Sequence, residues 1–283
     1  MWHKELLALC GAVLFTGAAL ALGAVTAARS QTAATALAQA SASSEQRIIV
    51  LAPELITAVA AVIYDPQTGE VLYQKNAAQQ MPLASLTKLM TAQAALRTSP
   101  SPTHMTVRAE DLAPEGDSGL IPGTVASVHT LLALSLVASS NDAVTALARS
   151  MDDTVVRMND EARRLSLTKT HFFNPTGLDV SEHTSGGYGS AYDMARLAAA
   201  FYSDHKDLFE LTVRGPSGTA EPLFDIPGLA AAKTGYTDLA GGNLVAVFDL
   251  SVGYPLVVVA LHSTREGRFE DVRALISAAR EQL

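Results

Sequence analysis

The chain shows strand-like apolar patterns near both ends of its folded part. Residues 56–64 are rich in apolar and β-branched side chains, and a second apolar run at residues 71–73 follows the turn-forming sequence Asp65-Pro66-Gln67-Thr68-Gly69. Two such runs joined by a turn predict a β-hairpin. Further strands are predicted near the C terminus at residues 229–233, 243–250 and 256–262, followed by a closing helix at residues 266–283.

The middle of the chain has the apolar spacing of helices instead. Helices are predicted at residues 85–96, 128–137, 143–148 and 153–165, and another begins at Ser190, with Asp193 three residues later. Because strands at both ends enclose this helical middle, the sequence predicts an α+β fold. Its antiparallel sheet is built from both chain ends and flanked by helices, with an inserted all-helical lobe at about residues 85–205.

The N-terminal segment predicts export. Residues 6–28 carry no charge, and a helix of that length would reach about 35 Å, enough for a bilayer core of ~30 Å. We expect a signal-anchor or signal segment at residues 1–28, a flexible Ala-, Ser-, Thr- and Gln-rich linker at residues 29–46 and one folded domain at residues 47–283. The expected location is the extracytoplasmic face of the cell membrane, with secretion after signal cleavage as the alternative.

Composition narrows the possible functions. The chain of 283 residues is 48% hydrophobic, which fits one globular unit. Its net charge of −8, without a basic cluster, argues against nucleic acid as a partner. The only cysteine, Cys10, lies in the apolar N-terminal segment, so the folded part forms no internal disulfide.

The sequence gives no reason to expect a metal or another cofactor. No metal-ligand spacing is found among four histidines of the folded part, His129, His171, His183 and His262. Gly186-Gly187-Tyr188-Gly189 lacks the lysine and the strand context of a phosphate-binding loop, and we expect it to form a turn.

A serine and a lysine at the start of the first predicted helix are the strongest candidates for chemistry. Ser85 and Lys88 are three residues apart and share a helix face. A lysine can activate a serine only after losing its proton, and lowering its pKa from ~10.4 to near ~7 takes roughly 4–5 kcal/mol. The positive field of the helix start contributes. Burial and a second nearby cation are also needed.

The same tetrapeptide occurs a second time. Ser-x-x-Lys is expected about once by chance in a chain of this length, and Ser166-Leu167-Thr168-Lys169 repeats the sequence of residues 85–88. The second copy ends a helical pattern, and we expect it to be a helix exit at the surface.

Three motifs in order carry a family resemblance. Ser85-x-x-Lys88, Ser139-Ser140-Asn141 and Lys233-Thr234-Gly235 together resemble the penicillin-recognising serine enzymes. Within them the chain resembles the serine-type D-alanyl-D-alanine carboxypeptidases, which are low-molecular-mass penicillin-binding proteins with a β-lactamase/transpeptidase-like fold. The resemblance covers residues 56–276. It includes the segments 139–143, 171–178, 191–195, 233–237 and 268–270.

The resemblance implies catalytic roles for the first two motifs. Ser85 would be the acylated nucleophile and Lys88 its base, and Ser139 would relay a proton to the leaving D-alanine. Asn141 would hold Lys88 and the substrate amide.

The resemblance also implies how the substrate is held. Lys233 would lower the Lys88 pKa and attract the substrate carboxylate, and Gly235 would let the strand approach the substrate backbone closely. The remaining roles implied are hydrogen bonds to that carboxylate from Thr234, Thr237 and Arg268, and an oxyanion hole formed by the N–H groups of Ser85 and Tyr236. Each oxyanion donor contributes roughly 3–4 kcal/mol.

The implied partners are peptidoglycan stem peptides ending in D-Ala-D-Ala, with β-lactams as covalent inhibitors. Taken singly, the motifs also have structural interpretations. Ser139 and Asn141 could cap a helix from Asp142, the Lys233 motif could be an ordinary strand end, and Arg268 could be a solvated helix residue.

Three other functions remain open at this point. A class A β-lactamase would need a Glu-x-x-Leu-Asn loop between Asn141 and Lys233, whereas Glu161 is followed by Ala-Arg-Arg-Leu. A D,D-endopeptidase acting on cross-links uses the same chemistry, and a cell-wall binding module could keep the fold without activity. The sequence departs from the family in two places. Residues 213–225 differ from the usual family segment before the Lys-Thr-Gly strand. The sequence ends after the closing helix, so we expect membrane attachment to be N-terminal.

Overall fold

A five-stranded antiparallel sheet forms the centre of the protein. The computed structural model describes residues 47–97, 103–116, 119–214 and 220–283. Their strands are β1 Ala60–Tyr64, β2 Val71–Lys75, β3 Met81–Pro82, β4 His104–Thr106, β5 Val125–Ser127, β6 His171–Phe172, β7 Gly187–Gly189, β8 Leu229–Thr237, β9 Gly241–Ser251 and β10 Tyr254–Ser263. The central sheet has the order β2-β1-β10-β9-β8.

Helices cover both faces of this sheet. Those of the described residues are α1 Thr87–Arg97, α2 Val128–Val137, α3 Asn141–Ala148, α4 Thr154–Arg164, α5 Ala191–Asp204, α6 Lys206–Glu210 and α7 Gly267–Gln282. Strand β1 pairs antiparallel with β10, so the two ends of the domain meet in one sheet while α1 to α5 lie between them in sequence. The predicted fold class is therefore confirmed.

Strand β10 shows why the terminal strands are almost continuously apolar. Val257 and Val259 pack into the core shared with the helical lobe, whereas Leu256 and Val258 pack into a second core beneath α7. Because both faces of the sheet are covered, neither face needs polar residues. The alternation therefore distributes side chains between two cores rather than between core and solvent.

The glycine-rich segment expected to be a turn is a strand, and the prediction for it was wrong. Gly187–Gly189 forms β7, which pairs with β3 on one side and β6 on the other. A Cβ at Gly187 would lie 2.8 Å from Thr87 Oγ1 and 3.1 Å from the Phe172 ring. Glycine is needed here because the strand passes directly over two buried side chains.

The break between the two helices of the second motif is close to its predicted place. Helix α2 ends at Val137 and α3 begins at Asn141, with the Ser140 hydroxyl accepting a hydrogen bond from the Ala143 N–H. The helix cap is therefore Ser140, and neither Ser139 nor Asn141 makes that bond. Ser139 has a positive φ of 57°, which turns the chain sharply between the helices.

Residues 48–283 form one compact unit. The predicted anchor at residues 6–28 and linker at residues 29–46 lie outside the described residues, so the domain boundaries stay predictions. Among the residues that the structure describes, no helix combines the length and the apolar character needed to cross a membrane.

Candidate active site

Ser85 lies in a tight turn that leads into helix α1. The turn is a 3-10 helix, Ala84–Leu86, and Ala84 before the serine has a positive φ of 49°. This conformation costs a non-glycine residue energy, so the surroundings must hold it in place. Gly177 does so by close packing: a Cβ at this position would lie 1.9 Å from the Ala84 carbonyl oxygen. Ser85 itself is partly exposed.

Lys88 is fully buried beneath the serine. Its Nζ lies 2.7 Å from Ser85 Oγ and donates to the Thr176 carbonyl oxygen at 3.0 Å. Burial lowers the pKa of Lys88 to about 7, because an ammonium ion loses its hydration in this environment. A large share of Lys88 is therefore neutral near pH 7 and able to accept the serine proton.

Lys233 supplies a second buried cation on strand β8. Its Nζ donates to Ser139 Oγ at 2.8 Å and to the Thr234 carbonyl oxygen at 2.8 Å. Burial, followed by repulsion from Lys88 and Arg268, lowers the Lys233 pKa well below its ordinary value. Three elements that are distant in sequence thus form one group. They are the turn Ala84–Leu86 that carries Ser85, which we call the nucleophile turn, the break between α2 and α3, and strand β8.

Gly235 allows β8 to lie directly beside the nucleophile turn. A Cβ at this position would be 3.0 Å from the Leu83 carbonyl oxygen and 3.1 Å from the Ser85 backbone nitrogen. A side chain here would push the strand away from the serine. The close approach that the structure shows is to the backbone of the Ser85 turn, whereas the approach predicted for Gly235 was to the substrate backbone and stays a prediction.

Arg268 is buried rather than solvated. Its side chain is only 9% exposed and donates to the Gly235 carbonyl oxygen at 2.7 Å. Burial, and next the neighbouring Arg265, lower the Arg268 pKa to about 10. The guanidinium Nε has no hydrogen-bond partner within the described residues.

Other predicted site residues lie around the same cleft but with different partners from those expected. Asn141 donates its amide to the Glu115 carbonyl, and the Lys88 amine contacts Ser85 and Thr176 rather than Asn141. The Asn141 Oδ1 is buried and, among the described residues, unpaired. The structure therefore does not show the predicted contact between Asn141 and Lys88.

Thr234, Tyr236 and Thr237, in and after the Lys-Thr-Gly motif, differ in exposure and in their hydrogen-bond partners. Thr234 is buried, and Tyr236 is 42% exposed with the Arg265 guanidinium 5.0 Å from its ring centre. Thr237 donates its hydroxyl to Asp179 Oδ1 at 3.0 Å. The hydroxyl expected to bind the substrate carboxylate thus already has a protein acceptor.

A cavity of about 800 Å³ opens beside these residues. Its lining combines predicted site residues with carboxylates and consists of Glu115, Gly116, Asn141, Leu178, Asp179, Ser181, Glu182, Tyr236, Thr237, Asp238 and Leu239. Among the described residues, no group of three or more His, Cys, Asp or Glu side chains is arranged to hold a metal ion.

Sequence reasoning missed the loop that holds Lys88 from the other side. The loop runs from Asn174 to Asp179, and most of it lies in the segment 171–178 of the family resemblance, to which no role was assigned. The Asn174 Oδ1 accepts from the backbone N–H groups of Thr176 and Gly177, while its amide donates to the Leu178 carbonyl. This closed loop presents the Thr176 carbonyl to Lys88.

The second copy of the tetrapeptide has none of this environment. Ser166 and Lys169 are both exposed, directly after helix α4, and the Ser166 carbonyl accepts from Arg196. The sequence Ser-Leu-Thr-Lys is identical at both places, so burial and position distinguish them. As predicted, the second copy is a helix exit at the surface.

Comparison with protein families agrees with this geometry. Residues 45–264 match the model of the D-alanyl-D-alanine carboxypeptidase family. The chain belongs to this family. All three motifs of the candidate site lie inside the matched residues.

Named relatives of the family include two activities. The chain is 32% identical over 247 residues to D-alanyl-D-alanine carboxypeptidase DacF of Bacillus subtilis, covering 80% of this chain and 62% of the relative. It is 30% identical over 219 residues to a D-alanyl-D-alanine endopeptidase of Haemophilus influenzae, covering 71% and 73%. The chain thus spans about three fifths of the length of the DacF relative.

A solved structure supports the fold. Penicillin-binding protein D2 from Listeria monocytogenes in its cefotaxime-bound form is 29% identical, with a TM-score of 0.69. The match covers 79% of this chain and 97% of that one.

Proposed function

We propose that this protein is a serine D-alanyl-D-alanine carboxypeptidase that removes the terminal D-alanine from peptidoglycan stem peptides during cell-wall maturation. The observation that carries the proposal is the buried Lys88 amine, 2.7 Å from Ser85 Oγ, with a pKa lowered to about 7. A base with a pKa near the working pH is the most effective one. Family membership supports the same chemistry.

Acylation begins at this pair. Neutral Lys88 accepts the Ser85 proton as Oγ attacks the carbonyl carbon of the penultimate D-alanine. The N–H groups of Ser85 and Tyr236 stabilise the developing oxyanion. When the C–N bond breaks, the amine of the leaving D-alanine takes a proton from the Ser139 hydroxyl. That proton is replaced by the one that Lys88 took from Ser85, while the Nζ of Lys233 donates to Ser139 Oγ and orients its hydroxyl.

Cations on and beside β8 hold the substrate's terminal carboxylate. Lys233 and Arg268 are both buried, and repulsion from Arg268 contributes to the lowered pKa of Lys233. Two like charges are unfavourable together, and a bound carboxylate relieves this repulsion. The planar guanidinium of Arg268 suits the two oxygens of a carboxylate.

Hydrolysis by water then releases the shortened peptide. A class A β-lactamase would use a glutamate to clear an acylated penicillin, but the Glu161 carboxylate accepts from Arg164 and from Gln93 and pairs with Arg97. Glu161 is thus committed to the helical lobe. We infer that β-lactams acylate Ser85 and leave slowly, in line with the cefotaxime-bound state of the Listeria relative.

An endopeptidase acting on peptidoglycan cross-links is the second candidate. The observation in its favour is the Haemophilus endopeptidase, of which the chain covers 73%. The two activities differ in whether the leaving residue ends in a free carboxylate or continues into a second peptide. The buried Lys233 and Arg268 favour the free carboxylate. A non-catalytic binding module would not need a lysine buried beside a serine.

The apolar segment at residues 6–28 supports a location at the extracytoplasmic face of the membrane. Substrates of this type are found there, and an uncharged run of that length reaches across a bilayer core. Fractionation of the full chain, with a version carrying Asp in place of Leu14 and Leu20, tests the attachment. Loss of the protein from membranes in the substituted version is the expected result.

Trapping the acyl-enzyme tests the proposed function. The full-length protein is incubated with benzylpenicillin, and peptide mapping by mass spectrometry locates the adduct. We expect one penicilloyl group on Ser85 that persists for minutes or longer. An adduct elsewhere, or release within seconds, would contradict the proposal.

A further inference from the structure

Asp179 joins the loop from Asn174 to Asp179 to the end of strand β8. Its Oδ1 accepts the Thr237 hydroxyl at 3.0 Å, and its Oδ2 accepts the Leu239 N–H at 3.4 Å. Thr237 is the last residue of β8, and Leu239 lies within the turn between β8 and β9. One carboxylate thus ties together segments that are 58 residues apart.

The hydrogen bonds of Thr237 leave its hydroxyl without a second proton to donate. A threonine hydroxyl has one O–H donor and two acceptor lone pairs. The donor is directed to Asp179, while a lone pair accepts from the Ala240 N–H at 3.1 Å. A substrate carboxylate can only accept hydrogen bonds, so it has nothing to gain from Thr237 in this arrangement.

The rest of the loop touches the reacting groups. Thr176 accepts a hydrogen bond from Lys88 Nζ at 3.0 Å, and Gly177 packs against the Ala84 backbone next to the nucleophile. The Asn174 side chain closes the loop, so these contacts belong to one rigid segment. Asp179 is where this segment meets the strand that carries Lys233 and Tyr236.

We propose that Asp179 is a positioning residue: by accepting the hydrogen bond of the Thr237 hydroxyl it fixes the end of β8 relative to the loop that orients Lys88. Thr237 then aligns the Tyr236 backbone and does not bind the substrate carboxylate. Lys233, Thr234 and Arg268 bind that carboxylate instead. This inference rests on the proposed function, and it assigns Thr237 a role different from the one its motif implies.

The test compares matched variants of the full-length protein. Asp179→Ala and Thr237→Val each remove the bond, whereas Thr237→Ser keeps the hydroxyl. Asp152→Ala changes an exposed aspartate outside the site. Two rates are measured: acylation by a fluorescent penicillin and D-alanine release, the latter resolved into kcat and KM. Small displacements of catalytic groups cost up to about a hundredfold in rate.

We expect Asp179→Ala and Thr237→Val to slow acylation by a similar factor of about ten or more. The double variant should be no slower than the slower single one, because both remove the same contact. Thr237→Ser should recover most of the rate lost in Thr237→Val, because it keeps the hydroxyl, and Asp152→Ala should keep the rate of the unmodified protein. The loss should appear mainly in kcat, with KM changed less than threefold.

Selectivity for a free carboxylate separates positioning from binding. A peptide ending in D-Ala-D-Ala and its C-terminal amide are compared as competitors of penicillin labelling. We expect Thr237→Val to keep the preference for the carboxylate. A preference lost in Thr237→Val, or a rate unchanged in Asp179→Ala, would overturn the inference. Absence of labelling in the unmodified protein would instead overturn the proposed function.

Thr237→Val and Thr237→Ser provide the control for a loss of folding. If Asp179→Ala unfolds, Thr237→Val and Thr237→Ser still differ only in the hydroxyl that donates to Asp179. Equal acylation rates in these two folded variants would also overturn the inference.

Discussion

The Nζ of Lys88 lies 2.7 Å from the Oγ of Ser85 and is completely shielded from solvent. Two features create this relationship. The nucleophile turn places the serine at the start of α1, one turn before the lysine, and Thr176 orients the amine from the opposite side. Burial also lowers the Lys88 pKa to about 7, so a large share of the amine is neutral near pH 7.

Replacing Lys88 should nearly abolish acylation. Lys88→Met removes the base, and Lys88→Arg keeps a positive charge that is not lost at any accessible pH. We expect both to slow acylation by about 10²- to 10⁴-fold, which is the usual contribution of a general base. Stopped-flow labelling with a fluorescent penicillin measures the rate. Lys169→Met, at the exposed copy of the tetrapeptide, should leave it unchanged, and an arginine variant of Lys88 with near-normal rates would refute its role as base.

The pH profile should rise through the Lys88 pKa. Below about pH 7 the amine is mostly protonated, so kcat/KM for D-alanine release should fall about tenfold per pH unit. Above that pH the value of kcat/KM should level off. At more alkaline pH the rate should fall again as Lys233, which binds the carboxylate, loses its proton, because burial lowers the Lys233 pKa well below its ordinary value. A profile flat from pH 5 to 8 would contradict this assignment.

Arg268 should matter for substrate binding more than for the chemical step. Arg268→Ala removes the buried guanidinium that donates to the Gly235 carbonyl. A hydrogen bond to a charged group contributes about 1.5–3 kcal/mol, so we expect KM to increase about 10- to 150-fold. Steady-state D-alanine release measures this change. Arg273→Ala alters a cation of the same helix that pairs with Asp225 instead, and an equal effect of both variants would argue against specific carboxylate binding.

Gly177 and Gly69 form a matched pair for the nucleophile turn. Both have positive φ values, 81° and 79°, but a Cβ at Gly177 would meet the Ala84 carbonyl at 1.9 Å, whereas Gly69 has open space around it. Alanine in this conformation costs about 1–2 kcal/mol of folding free energy at either position. Gly177→Ala should in addition displace Ala84 and slow acylation by at least about tenfold.

Thermal denaturation and acylation rates together measure this difference. Gly69→Ala should lower the stability of the protein and keep its acylation rate. If a folded Gly177→Ala protein acylates as fast as Gly69→Ala, the packing against Ala84 is not what holds the nucleophile turn.

The sequence predicted the parts of this structure that depend on local pattern. Strand β10 is apolar from Pro255 to Leu261 because the strand is covered on both faces, and its predicted bounds, residues 256–262, fall inside Tyr254–Ser263. The pairing of Ser85 with Lys88 follows from helical spacing. By contrast, β7 could not be predicted, because Gly187–Gly189 becomes a strand only through its pairing with β3 and β6.

Two features of the site were beyond sequence reasoning for a physical reason. Lys88 is oriented by the Thr176 carbonyl, and a backbone carbonyl is present at every residue, so no side-chain pattern marks it. Thr237 and Asp179 lie far apart in sequence, and only the fold shows that the Thr237 hydroxyl donates its hydrogen bond to Asp179. Family resemblance placed the motifs of Ser139 and Lys233 in one site, but it did not reveal the contact between these two residues or the partners of Asn141 and Thr237.

Release of D-alanine tests the central claim most directly. The full-length protein, Ser85→Ala and Ser166→Ala are each incubated with a peptide ending in D-Ala-D-Ala, and free D-alanine is measured. We predict release by the unmodified protein and by Ser166→Ala, and none by Ser85→Ala. Release that persists in Ser85→Ala, or no release from the unmodified protein, would contradict a carboxypeptidase that works through Ser85.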